Sequence, residues 1–201
     1  KFAEFRKDMV QMTHIPDLSA NKAQQHLDTM TGKLSPEEFD TFEKLVYFND
    51  LKEEVKFQQE EGYSNIILPN NLDVADVELM LNELQKNMTD NIREALNNRR
   101  AIWDKLIADY VKFNSDIGFD TENRFKRREY YRHQVIEYML NNVSKVPNNI
   151  YAGTRQVNVK DKRGWLKQRE GSDKAINTDF LFVEYNALME MQYDAYVAQI
   201  L

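Results

Sequence analysis

The sequence predicts an all-α protein. It reads as an elongated helical bundle with one or two long helices and an irregular, Gly-containing segment near residues 146–172. Three observations carry this reading. The 201 residues include 6 Gly and 4 Pro, about 5% of the chain, where an average protein has roughly 12%. Those residues punctuate long stretches free of both, as helix interiors require. Apolar residues recur at steps of three and four over most of the chain. A sandwich or barrel needs frequent tight turns, and the composition does not supply them.

The first apolar segment runs from Phe2 to about Met12 and is expected to stop before Ile15-Pro16, because proline disfavours helix at the residue before it. Ser19 or Asn21 can then cap a short helix to Met30, closed by Thr31-Gly32. Ser35-Pro36-Glu37-Glu38 is a strong helix start. Ser35 is placed to cap, Pro36 falls at the first helical position, and Glu38 completes a capping box. Phe39, Phe42, Val46, Phe48, Leu51 and Val55 follow at helical spacing, and Gly62 is the natural stop. Tyr63 to Asn71 reads as a loop whose apolar run, Ile66-Ile67-Leu68, tucks against the helices before Pro69.

Asp73 caps the next segment, with a stripe of Val74, Val77, Leu81, Leu84 and Met88. The stripe resumes as Ile92, Leu96, Arg99, Trp103, Leu106, Tyr110, Phe113 and Ile117, an a/d heptad pattern with Arg99 as its polar intruder. The favoured reading is one helix from Asp73 to about Ile117, spanning roughly 65 Å, with a break near Thr89-Asp90 as the alternative. Such a seam suits a homodimer or packing within the chain. The helices at 36–61 and 177–201 are available, so intramolecular packing is expected, with Arg99 at the seam's edge or paired with a carboxylate. Phe125 to about Leu140 also reads as helix. Asn177 or Thr178 caps a C-terminal helix, 177–201, that is apolar on Phe180, Val183, Ala187 and Met191 and widened by Leu181, Tyr185 and Leu188. A helix apolar on so much of its surface is usually buried.

Charge divides the chain more sharply than its net value of −6 suggests. An acidic helical part, 1–119, is followed by a basic segment, 120–175, with 13 Lys and Arg against 7 Asp and Glu. The C-terminal helix has no Lys or Arg at all. The whole of 1–201 is expected to be one helical domain, and its two ends read as cuts from a longer chain.

Several chemistries lack their residues. Without Cys there is no disulfide framework, thiol catalysis or Cys-ligated metal. No phosphate-cradling GxxxxGK[ST], GxGxxG or GxSxG occurs. Paired acids such as Glu53-Glu54 and Glu60-Glu61 are expected on a solvated helix end. No apolar run approaches the ~20 residues of a membrane span, and no signal peptide is visible, so a soluble, cytoplasmic protein without cofactors is expected. Three weaker constellations remain. Glu129, His133 and Glu137 lie at i, i+4 and i+8, so one helix face presents two carboxylates and an imidazole that can hold a metal; a plain charged face is the expected reading. Arg127, Arg128 and Arg132, and again Lys162, Arg163, Lys167 and Arg169, interleave with aromatics. Cations neutralise phosphates and aromatic faces stack on unpaired bases, so the two runs together can bind DNA or RNA. The same cations can instead pair with the acidic helices or with a protein partner.

The last third also carries a pattern: Tyr130-Tyr131-Arg132-His133-Gln134-Val135-Ile136-Glu137-Tyr138-Met139, then Lys167-Gln168-Arg169-Glu170-Gly171-Ser172 and Ala175-Ile176-Asn177-Thr178-Asp179 before a helix. Over about residues 125–195 this resembles the helical, uncharacterised segments of large polyvalent proteins of phages and conjugative elements. The resemblance implies a non-catalytic helical module with a structural or protein-interaction role. Its partners would be other domains of a larger polypeptide or a separate protein, in host cytoplasm or virion. It carries over no catalytic residue. A nucleic-acid-associated module using the basic segment is the alternative.

Overall fold

The computed structural model describes residues 2–116, 176 and 178–200. Five α-helices account for 84% of these, and no strand occurs among them. They are α1 (Phe2–Thr31), α2 (Pro36–Glu60), α3 (Val74–Lys86), α4 (Asp90–Asp116) and α5 (Phe180–Ile200), with a single 3-10 turn at Pro69–Asn71. The expectations for helix Phe125–Leu140 and for the irregular stretch 146–172 fall outside the described residues.

Three of the expected boundaries are corrected. First, α1 runs straight through Pro16 for 30 residues instead of stopping before it. Proline removes one backbone donor from a helix interior and strains the turn before it, typically by ~3 kcal/mol. Here Ile15 is fully buried and continues a stripe through Ser19, Ala23, Leu27 and Met30. Burial of that face outweighs the lost bond, and the Ser19 hydroxyl donates to the Ile15 carbonyl at 2.7 Å on the same turn. Ser19 is therefore an interior residue and not a cap. Gly32 closes α1, and a Cβ there would sit 2.6 Å from the Asp28 carbonyl oxygen.

Second, the long stripe after Asp73 is two helices. α3 is capped by Asp73, whose side chain accepts from the Asp76 N–H while Asp76 reaches back to the Asp73 N–H. α3 ends at Lys86, and Thr89 starts α4 by accepting the Ile92 N–H at 3.2 Å. The step change between Met88 and Ile92 thus marks a break between two helices and not a stutter. Third, α5 is capped by Asp179, which accepts the Phe182 N–H at 3.0 Å, rather than by Asn177 or Thr178.

α2 begins as its sequence requires. Ser35 Oγ accepts the Glu38 N–H, Glu38 accepts the Ser35 N–H, and Pro36 sits in the first turn. α1, α4 and α5 pack on one another, while α2 packs on both α3 and α4. The core is continuous across all five helices, from Leu27 and Met30 through Phe42, Leu45 and Leu51 to Ile92, Trp103, Leu188 and Met191. Phe180 closes the bundle at the start of α5, edge-on to Phe42 with ring centroids 5.1 Å apart and to Phe39 at 6.1 Å. The seam of α4 packs within the chain, with Ile92, Ala95, Arg99, Trp103, Leu106 and Tyr110 all buried.

Candidate functional site

Polar side chains tie the bundle together at three places, two of them buried and one at the surface. The first joins α4 to α5. Arg99 and Glu184 interrupt the apolar stripes of their helices, and the fold sets them against each other. Arg99 Nε donates to Glu184 Oε1 at 2.8 Å and Nη2 donates to Oε2 at 3.0 Å, the forked geometry that guanidinium and carboxylate favour. Trp103, one turn beyond Arg99, donates its indole N–H to Glu184 Oε1 at 2.6 Å. The side chains are 4% and 1% exposed for Arg99 and Glu184, so the pair is removed from water. The guanidinium carbon also stands 6.0 Å from the centre of the Trp103 ring, within cation–π range.

The second lies on α2, where Asp50, Glu54 and Gln58 follow at four-residue spacing and are all buried. Glu54 was expected on a solvated helix end. It faces inward because its turn carries the loop that follows α2, while Glu60 and Glu61 are exposed as expected. Gln58 holds that loop as a second peptide strand would. Its Oε1 accepts the Ile67 N–H at 2.9 Å, and its Nε2 donates to the Ile67 carbonyl at 2.9 Å and to Glu54 Oε1 at 2.6 Å. Leu68 is thereby placed in the core. Asn70 and Asn71 follow with φ of 59° and 56°, the left-handed region that asparagine tolerates better than most residues. Asn70 then donates to the Tyr47 hydroxyl at 2.8 Å and accepts the Ile176 N–H at 3.1 Å, so Ile176 is tied through Asn70 to α2.

The third is the surface junction of α2 and α4. Glu38, besides closing its capping box, accepts from the Thr89 hydroxyl at 2.7 Å and from the Asn91 amide at 3.2 Å. These bonds hold its carboxyl below the ordinary value of 4.5, the Thr89 bond most strongly. Little more than one turn further along α2, Glu43 is pushed above that value, first by burial and then by Asp40.

The residues marked from sequence for nucleic-acid contact, Arg127, Arg128, Arg132, Lys162, Arg163, Lys167 and Arg169, lie outside the described residues. So does the metal candidate Glu129, His133 and Glu137. Among the described residues no group of three or more His, Cys, Asp or Glu is arranged to hold a metal ion. No described helix is long and apolar enough to cross a membrane. Of the two remaining histidines, His14 is exposed and His26 lies between α1, α4 and α5.

Sequence reasoning marked Arg99 but missed its partner. The signal was present: Glu184 falls between Phe180 and Leu188 at four-residue spacing, an acid on a buried stripe as Arg99 is a base on one. Comparison of the chain with protein-family models, curated proteins and solved structures returned no match.

Proposed function

We propose that the chain is a non-catalytic helical structural or protein-interaction module of a larger protein of phage or mobile-element type. One observation carries the non-catalytic part. The buried Arg99, Glu184 and Gln58 side chains are engaged with one another's helices, with Glu54 and with the Ile67 backbone. A carboxylate accepting three N–H groups in a dry interior serves cohesion. The origin in a mobile-element protein rests on the sequence resemblance alone, and the reading frame surrounding this segment tests it. Flanking helicase-like, methyltransferase-like or peptidase modules are expected, and a flank of unrelated kind would overturn that origin.

A second reading is favoured by the charge division: a +6 segment joins an acidic part to a cation-free C-terminal helix. It makes the chain a nucleic-acid-associated module acting through Arg127, Arg128, Arg132, Lys162, Arg163, Lys167 and Arg169. Fluorescence anisotropy with labelled single- and double-stranded oligonucleotides separates the two readings, because phosphate contacts weaken steeply between about 50 and 200 mM salt. The structural reading predicts no binding at the lower salt. Binding that falls with salt and is lost on charge reversal of those seven residues would replace it.

A further inference from the structure

Besides Ile15, Ser19, Ala23, Leu27 and Met30, α1 brings the titratable His26 to the α5 contact. His26 is half-buried, and its Nε2 lies 3.3 Å from Gln192 Nε2 on α5. With the Gln192 amide nitrogen toward the ring, the imidazole Nε2 accepts, which is the neutral tautomer with its proton on Nδ1. Among the described residues, the charged groups bearing on the ring are the cations Lys22, one turn earlier on α1, and Lys105 on α4. On α5 the facing group, Gln192, is neutral.

We propose that His26 is an acid-sensitive latch between α1 and the α4–α5 pair, closed when the ring is neutral and loosened when it gains a proton. Protonation turns Nε2 into a donor, so it meets the Gln192 amide donor to donor, and the contact survives only if that amide turns over. It also adds a positive charge between Lys22 and Lys105 in a partly dry setting. Burial, Lys22 and Lys105, in that order, hold the ring below the ordinary histidine value of 6.5. For a base whose folded value is depressed, stability is complete above about 6.5 and is lost as pH falls from there through the folded value. The latch concerns how this chain holds together and is independent of the module reading.

The test is amide hydrogen exchange of α1 in the full chain, corrected for intrinsic rates, together with NMR titration of the His26 ring. Between about pH 7.5 and pH 5.5, exchange in the 15–31 part of α1 is expected to rise about two- to tenfold. The His26→Gln chain should lose that rise, and Lys22→Met or Lys105→Met should move the ring midpoint upward. Gln192→Glu, which places a carboxylate against the ring, should reverse the response. An unchanged rise in His26→Gln, or a ring midpoint at or above 6.5, would overturn the latch.

Discussion

Glu184→Gln is the most informative single change. The substitution keeps the shape of the side chain and one carbonyl oxygen, so it opens no cavity. It removes the negative charge and turns one of the two acceptors of the Arg99 fork into a donor. Arg99 stays 96% out of water with its ionic partner gone, and the three N–H groups now served by Glu184 must share one oxygen. Removing one partner of a buried, hydrogen-bonded ion pair typically costs about 3–5 kcal/mol, against a total stability of about 5–15 kcal/mol for a domain. For a chain of this length that is a fall in Tm of about 10 °C. The assay is urea unfolding followed by Trp fluorescence and circular dichroism, on Glu184→Gln, Arg99→Met and the double variant. Arg99→Met restores an apolar side chain of similar length, so the double variant should recover at least about 2 kcal/mol of the summed single losses. A loss below about 1 kcal/mol for Glu184→Gln, or single losses that add within about 0.5 kcal/mol, would refute the reasoning.

Other expectations follow from the same junctions. Pro16→Ala should stabilise the chain by up to about 3 kcal/mol, since α1 already has the conformation that alanine prefers; a lower urea midpoint would contradict the continuous helix. Gln58→Leu should cost about 1–3 kcal/mol, because the Ile67 N–H and carbonyl lose their partner, and raise hydrogen exchange at Ile67. The Glu38 carboxyl should titrate below 4.5 by NMR, and Thr89→Val should raise its midpoint. Its folded value is depressed, so its contribution to stability is present above 4.5 and fades as pH falls through that midpoint.

Much of the fold was legible because local chemistry and packing agree. The Ser35-Pro36-Glu37-Glu38 start of α2 and the Asp73 start of α3 appear as written, since caps depend on a few adjacent residues. Pro16 misled because its local cost is outweighed by a buried face whose existence depends on α4 and α5, distant in sequence. The α3–α4 break was visible as a step change, but helical periodicity continues across a capped break as readily as through a stutter. The inward turn of Glu54 escaped notice because its purpose, serving Gln58 and the Ile67 loop, lies outside its own helix. The buried pair was half legible. A base on a heptad seam calls for an acid, and only the fold chooses Glu184 from 33 Asp and Glu residues.

α1 to α4 and α5 form one body held by their own buried faces and by the Arg99–Glu184 tie. A protease site engineered between Ile150 and Tyr151, cut and followed by native size-exclusion chromatography, tests it most directly. The two fragments should elute together, and those of the Glu184→Gln chain should separate at a lower urea concentration. Release of the fragment carrying α5 under native conditions would contradict it.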